Sequence, residues 1–449
     1  MLLTKASINA LPVDLLSSIF VLWASVDEDG PWMASSVCKE WRRIVLACPT
    51  AWSHISVILK PPSNVTPEDR AWCVEEDDLD SEHSPRGKRR PLDLWFLRSG
   101  RTRLNLTLTV ASTHPHIEAR LAECLTLLRA HPAGLRTLRV DVESVLLADA
   151  FFSELPPCDL DELALQIMQT PRRGWLRGAH ASGEGSRVPA LWRGVRSVRH
   201  ALLDGCMPPR RADGTGGETR SLVLGGISVT PELLADYSAL TTLELREAPA
   251  PAHATPLVLP ALARLTLQRT CMESAAGVCR WLRAPALTHL ALGNGGVREL
   301  ALVLRPGETT AEATAEFGGA LARFVAAAPG LVSLRLSRSS VHDRHVVEVL
   351  RNAPSLVELR IEECLVGAPF LRALTLPVGA SSAKPKPPVC PNLQSLSFHK
   401  CDLVPGEQLV ALVRSRNHAD SPTSRITDVR TLRCPNVSVS HVHDLLNAL

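Results

Sequence analysis

The chain has 449 residues, of which 45% are hydrophobic and 21% are charged, a composition typical of a globular protein with enough apolar material for a large core. Its 49 basic and 46 acidic residues leave a formal charge of +3, which argues against nucleic acid or an anionic membrane as the main partner. Aromatic residues make up only 4%, which also disfavours surfaces that stack sugars or single-stranded bases.

The N-terminal segment predicts a small helical unit. Asn9 can cap a helix that opens at Leu11 and Pro12, since proline suits the first helical turn. Apolar residues then recur at helical spacing, first as Leu11, Leu15, Ile19 and Leu22, and, after a turn at residues 27–31, as Val37, Trp41, Ile44 and Val45. This periodicity predicts two amphipathic helices.

Residues 58–92 are dense in charge, with an acidic run at 75–78 and a basic run at 86–90. Sequence of this kind contains few large apolar residues to offset the entropy lost on ordering. It predicts a flexible linker. The basic run could act as a nuclear import signal, although such runs are more often solvated linker.

From about residue 93 the pattern Leu-x-x-Leu-x-Leu repeats. Eight copies begin at Leu135, Leu160, Leu240, Leu262, Leu287, Leu331, Leu356 and Leu393. Weaker copies begin at Val195 and Leu222. Several starts are 20–25 residues apart, which is the period of leucine-rich repeats.

Amphipathic helices are predicted between these strands, for instance at residues 117–128, 317–328 and 345–350. A strand–helix unit has one apolar face and buries it by stacking on its neighbours. Two copies also place a cysteine, Cys364 and Cys401, eight residues after the first leucine, which predicts a tight buried turn. The fold class predicted for residues 93–449 is therefore an α/β leucine-rich-repeat solenoid with parallel concave strands and convex helices.

Side chains alternate along a strand, so the residues between the inward leucines point to the concave face. That face is the expected target-binding surface, and its mixed charge suits a polar or charged protein segment. The candidate residues are Arg139, Asp141, Glu244, Arg246, Arg335, Glu358, Arg360 and His399.

No constellation typical of an enzyme stands out. The cluster His342, Asp343, His345 and Glu348 lacks the His-Glu-x-x-His spacing of a zinc protease. The glycine-rich segments 214–217 and 293–296 match neither a P-loop nor a dinucleotide-binding fingerprint, and are predicted to form turns. None of the 12 cysteines forms a Cys-x-x-Cys pair. We therefore expect no catalytic residue, no metal and no cofactor.

The sequence also has no run of about 20 apolar residues, so no membrane span is expected. Asp14 and the absence of a small-residue cleavage site argue against a secretory signal. Scattered cysteines fit buried thiols in a reducing compartment. These features favour a cytoplasmic or nuclear protein.

Three strings near the N-terminus carry a resemblance to a known family. They are Leu-Pro-Val-Asp-Leu-Leu-Ser-Ser-Ile-Phe at 11–20, Val-Cys-Lys-Glu-Trp-Arg-Arg-Ile-Val at 37–45 and Pro-Thr-Ala-Trp at 49–52. In this order they resemble the F-box, in the form common in large fungal families, over residues 8–57. The chain as a whole is similar to F-box proteins with C-terminal leucine-rich repeats.

The resemblance implies an N-terminal three-helix domain that binds a Skp-type adaptor, and through it a cullin–RING ubiquitin ligase, while the repeats hold an unidentified target protein. The adaptor-binding residues it implies are Leu11, Pro12, Leu15, Leu16, Ile19, Val37 and Trp41. A unit of this size also has more large apolar groups than it can hide internally. The alternative is a leucine-rich-repeat interaction scaffold with no ligase role.

Overall fold

A computed structural model of the protein describes residues 8, 11–27, 29–59, 91–110, 115–167, 194–208, 218–251, 254–293, 310–339, 341–376, 387–419 and 421–449. Asn9, the two charge runs of the linker and the glycine-rich segment 214–217 lie outside these ranges. The chain divides into two compact units. Unit 1 comprises residues 1–170 and 182–202, and unit 2 comprises residues 171–181 and 203–449.

Unit 1 begins with three helices, α1 (Val13–Val26), α2 (Gly30–Val37) and α3 (Lys39–Leu46), and a 3₁₀ turn at Pro49–Trp52. The second helix predicted from the sequence is in fact two. The backbone at Cys38 is extended, and its Sγ accepts a hydrogen bond of 3.4 Å from the amide of Trp41. Cys38 thus ends one helix and caps the next.

The helical segment has a core of its own. Phe20 and Trp41 pack with ring centroids 5.1 Å apart. Trp52 is fully buried, and its indole N–H donates a hydrogen bond of 2.8 Å to the carbonyl of Val45. Because a buried indole costs free energy unless its N–H is bonded, this bond fixes the 3₁₀ turn against α3.

Strand β1 (His54–Leu59) follows the turn directly and pairs in parallel with β2 (Leu104–Val110) along its whole length. Residues 54–57 were predicted to belong to the helical unit and 58–59 to the linker, whereas the structure places all six in one strand of the sheet. The reason is their alternation, with Ile55, Val57 and Leu59 buried, as expected for a half-buried strand.

The rest of unit 1 alternates strands with helices. It contains α4 (Leu92–Ser99), α5 (Pro115–Ala130), β3 (Leu135–Val142), α6 (Val145–Glu154), β4 (Cys158–Ile167) and the start of β5 (Val195–Asp204). The strands β1, β2, β3 and β4 are parallel and lie in sequence order. This order is what stacked strand–helix repeats produce.

Unit 2 repeats the same arrangement more regularly. Its eight parallel strands are β6 (Ser221–Gly225), β7 (Thr242–Arg246), β9 (Arg264–Gln268), β11 (His289–Gly293), β12 (Ser333–Ser337), β13 (Glu358–Glu362), β14 (Ser395–His399) and β15 (Asp428–Leu432). The short strands β8 (Leu257–Val258) and β10 (Leu282–Arg283) pair separately. The helices are α7 (Pro231–Leu234), α8 (Met272–Trp281), α9 (Thr310–Ala326), α10 (Asp343–Arg351), α11 (Ala368–Leu374), α12 (Gly406–Asn417) and α13 (Val439–Ala448).

The pattern leucines form the core of this unit. Leu334, Leu359 and Leu396 are register partners on adjacent strands and are fully buried. Full burial of one such side chain contributes about 1.5–3 kcal/mol. Each of the eight copies of the pattern, and each of the two weaker ones, coincides with a strand as predicted, although in the six full copies of unit 2 the first leucine lies two residues before the strand.

A tight turn recurs at the end of the strands. In β12, β13 and β14 the next residue, respectively Arg338, Glu363 and Lys400, has a positive φ of 51–53°. Each donates its amide to the last carbonyl of the following strand at 2.8 Å. The hydrogen bond offsets the cost of about 1–2 kcal/mol that a left-handed conformation carries for a residue with a Cβ.

The residue after this turn is small and buried. Cys401 is fully buried, with its Sγ 3.5 Å from the carbonyls of Ile361 and of His399. Cys364 occupies the same position one repeat earlier, and burial raises the pKa of its thiol to about 12. The predicted buried cysteine turn is confirmed, and these thiols are protonated and unreactive at neutral pH.

Candidate interaction surfaces

Leu11, which precedes helix α1, is exposed, and the helix itself presents an apolar stripe to solvent, formed by Leu15, Ile19, Leu22 and Val26. Spacings of three and four residues place these side chains on one helical face. Leu15 is 53% exposed and Leu22 67% exposed. Large apolar side chains grouped in this way are unusual on a protein surface unless another molecule covers them.

The seven predicted adaptor-binding residues divide into two groups. Leu11, Pro12, Leu15, Ile19 and Val37 are exposed. Leu16 is only 2% exposed and Trp41 is buried as well. Leu16 follows Leu15 by one residue, and therefore by about 100° around the helix, so it points into the core with Phe20. Leu16 and Trp41 hold the helices together rather than forming the surface.

Met33 is an exposed apolar residue that the sequence analysis missed. It lies four residues before Val37 on α2, so the two side chains share a face of that helix. The spacing of four residues between Met33 and Val37 is visible in the sequence, but only Val37, Trp41, Ile44 and Val45 were assigned to the predicted second helix.

The predicted target-binding residues all lie on strands, on the side opposite the buried leucines. In unit 1, Arg139 and Asp141 form an ion pair of 3.2 Å on β3. In unit 2, Arg246 pairs with Glu244 at 2.6 Å on β7, and on β13 Arg360 pairs with Glu358, also at 2.6 Å.

The structure brings the strand-face residues of β12, β13 and β14 together around Glu362, which the sequence analysis did not single out. Its carboxylate is 2.8 Å from Nη2 of Arg335 and 3.1 Å from Nδ1 of His399. The hydrogen bond from Arg335 and the one from His399 hold the pKa of Glu362 below its usual value. Glu362 is the fifth residue of its strand and points outward like Glu358 and Arg360. Extending the outward positions of the leucine pattern by one more residue would therefore have identified it.

A second row of charges is formed by the positive-φ residues of the tight turns themselves, Arg338, Glu363 and Lys400. Glu363 is 2.9 Å from Nε of Arg338 and 2.6 Å from Nζ of Lys400, one neighbour on each side. The hydrogen bonds from Lys400 and Arg338 lower the pKa of Glu363. At the next strand, Arg430 pairs with Asp428 at 3.1 Å. The face is therefore a network of ion pairs at neutral pH.

The histidine and acid cluster before and within α10 has separate local roles. Asp343 accepts a hydrogen bond of 3.0 Å from the amide of Gly367. His345 packs against Gly318 of α9 and lies 3.9 Å from Glu348. Over the ranges that the structure describes, no group of three or more histidine, cysteine or acidic residues is arranged to hold a metal ion.

None of the helices in the described part of the chain combines the length and apolarity needed to cross a bilayer. A scan against models of protein families finds none that matches the chain, and a search of curated proteins finds no similar sequence.

Proposed function

We propose that the chain is the substrate-recognition subunit of a Skp–cullin–F-box ubiquitin ligase, binding a Skp-type adaptor through its N-terminal helices and a target protein through its strand face. The proposal combines the resemblance of residues 8–57 to the F-box with one structural observation. That observation is the exposed apolar stripe of α1, of which Leu15 and Ile19 lie within the first F-box-like string.

The stripe supports this proposal because its residues are surplus to the core. The helical segment already buries Leu16, Phe20 and Trp41, and yet Leu11, Leu15 and Ile19 remain at the surface. An adaptor that covers them would gain about 25 cal/mol for each Å² of apolar surface removed from water. A stable partner is the usual reason for such a patch.

The repeats support the second half of the proposal. Parallel strands stacked in sequence order present one extended polar face, with several side chains from different repeats accessible to one ligand. The chain would need no catalytic residue of its own. Holding a target and the ligase in one complex raises the target's effective concentration near the ubiquitin-charged enzyme, in the cytoplasm or the nucleus.

A pull-down with an immobilised Skp-type adaptor tests the proposal. The wild-type chain should be recovered, and the double variant Leu15→Asp, Ile19→Asp should not, because two carboxylates would then be desolvated in the interface. The matched control is Leu97→Asp, Leu146→Asp, which alters two leucines exposed elsewhere in unit 1 and should bind like the wild type.

Equal recovery of both double variants would contradict the proposal. Adaptor binding without recovery of a cullin, or of ubiquitin transfer in a reconstituted reaction, would favour the alternative of a repeat scaffold with no ligase role. Because all four substituted side chains are exposed, neither double variant should change the melting temperature appreciably, and a thermal melt checks this.

A further inference from the structure

We propose that the strand face of the last four repeats binds an acidic, extended peptide segment, whose carboxylates contact an outward cationic layer formed by Arg335, Arg338, Arg360, Lys400 and Arg430. This inference deepens the proposed function, because it assigns a chemical class to the target. Its test uses no adaptor and is independent of that half of the proposal.

The charges on this face are layered. In the five ion pairs that involve the cationic layer, the cationic side chain is 40–71% exposed and its carboxylate partner is 26–39% exposed. In each pair the cation is the more exposed member. An approaching molecule therefore meets positive charge first. The five cations also share only four carboxylates, because Glu363 pairs with both Arg338 and Lys400, which leaves these groups with a net charge of +1.

The inner carboxylates are held from several sides. Glu358 accepts a hydrogen bond of 2.8 Å from Ser333 in addition to that from Arg360. Glu362 accepts one of 3.3 Å from Ser337 as well as those from Arg335 and His399. These anions have their donors already and have little capacity to attract a cationic partner.

The cationic side chains, in contrast, keep N–H donors that are not used by the inner carboxylates. A guanidinium group carries five N–H donors. Counting contacts to described residues, Arg335 engages only Nη2 and Arg338 only Nε. The remaining N–H groups face solvent from side chains about half exposed. Carboxylate oxygens are well suited to such donors, because charge-assisted bonds are the stronger ones.

The spacing of the layer favours a peptide with several charges. Arg335 and Arg360 are register partners on adjacent strands, and Arg430 lies two strands further, beyond Ser397. Adjacent strands are about 4.8 Å apart, so the row spans about 14 Å, the length of about four residues of extended chain. No outward position of these strands holds a tryptophan, tyrosine or phenylalanine on which a base could stack, which disfavours single-stranded nucleic acid.

The test is fluorescence anisotropy with the full chain and a labelled octapeptide of alternating glutamate and serine. We expect saturable binding that weakens as salt is raised. The triple variant Arg335→Gln, Arg360→Gln, Arg430→Gln should bind about tenfold more weakly, given the modest energy of each exposed charge pair. The control triple Arg323→Gln, Arg351→Gln, Arg372→Gln removes the same charge from exposed sites on helices α9, α10 and α11 and should leave binding unchanged.

Three results would overturn the inference. They are equal binding of an octapeptide of alternating glutamine and serine, equal loss in the two triple variants, and absence of binding at low ionic strength. Tighter binding of a thymidine oligonucleotide, or of the glutamine peptide carrying one phosphoserine, would also overturn it in favour of that other ligand. The two peptides and the salt titration test the wild type even if a variant is unstable, and adaptor recovery in the pull-down is unaffected by any of these outcomes.

Discussion

The guanidinium carbon of Arg98 lies 4.5 Å from the ring centroid of Trp52. It lies at the same distance from the ring centroid of Trp32, and the two indoles are themselves in edge-to-face contact, so that the cation packs against both rings. Trp32 belongs to α2, Trp52 to the 3₁₀ turn and Arg98 to α4. This contact joins the N-terminal helices to the helix that precedes β2.

We expect Arg98→Ala to lower the free energy of unfolding by about 1–2 kcal/mol, the range for a cation–π contact that is partly desolvated. Burial lowers the pKa of Arg98, yet its side chain keeps its charge at neutral pH. Urea unfolding followed by tryptophan fluorescence measures the change. An Arg98→Leu variant as unstable as Arg98→Ala would support the charge as the cause, and full stability of Arg98→Leu would show that packing alone is needed.

Two neighbouring glycines of α9 should respond in opposite ways to alanine. A Cβ on Gly318 would lie 2.5 Å from Cγ of His345, whereas a Cβ on Gly319 would have its nearest contact at 3.7 Å, to Arg323. Gly318→Ala should destabilise the protein by about 1–3 kcal/mol through overpacking. Gly319→Ala should stabilise it by about 0.5–1 kcal/mol, because glycine is a poor residue within a helix.

The melting temperatures of the two glycine variants decide this prediction. The new Cβ would also lie 2.6 Å from Cβ of His345, so relief requires His345→Gly, and Gly318→Ala should destabilise a His345→Gly background less than it destabilises the wild type. A melting temperature of Gly318→Ala at or above that of the wild type would contradict the close packing of α9 on α10.

Arg416 of α12 is fully buried and donates hydrogen bonds to three backbone carbonyls, at 3.1 Å to Leu374, 2.9 Å to Cys390 and 2.5 Å to Val389. Arg416→Met would leave these carbonyls unsatisfied and should cost about 3–5 kcal/mol. The control is Arg414→Met, two residues away, which removes only an exposed ion pair with Asp444 and should cost less than about 1 kcal/mol. Chemical denaturation compares them, and similar losses would contradict the role of Arg416.

Stability should fall as the pH drops below about 6.5. Burial lowers the pKa of His131 in unit 1, and burial together with Arg344 lowers that of His345 in unit 2, both from 6.5. A histidine whose pKa is lowered on folding binds more protons when unfolded, so its contribution is present above pH 6.5 and is lost on acidification. The lowered pKa values of Glu358, Glu362 and Glu363 add a second loss below about 4.5.

Urea titrations at pH 7.5, 6 and 5 measure the histidine contribution. His131→Asn removes one titrating group and should make the dependence on pH shallower, whatever its effect on stability at pH 7.5. Unchanged stability of the wild type between these pH values would contradict the burial of these imidazoles.

The leucine pattern predicted the strands of the repeats because each inward position of a stacked unit has to be apolar. Strand β15 was not predicted. Its pattern positions hold Ile426, Val429 and Thr431, so a threonine replaces the last leucine, although Cys434 still lies eight residues after the first position. Strand β2 was missed because its signal is a strict alternation, Leu104 to Val110, rather than the repeat pattern.

The exposed positions of α1 followed from helical spacing, but the role of Leu16 did not, because a leucine-rich helix leaves open which side faces the core. The ion-pair network was hidden for another reason. Arg335 and Glu362 are 27 residues apart, and only the register of β12 against β13 reveals that they meet.

Strand β1 begins two residues after the 3₁₀ turn, and Ser53 between them accepts a hydrogen bond of 2.8 Å from the amide of Asn105. The N-terminal helices are thus joined to the first sheet by a strand and not by a tether. A tether sets only a maximum distance, whereas a paired strand sets a direction. An adaptor docked on α1 would be oriented relative to that sheet, and lengthening or cutting the chain between residues 60 and 90 should leave that orientation unchanged.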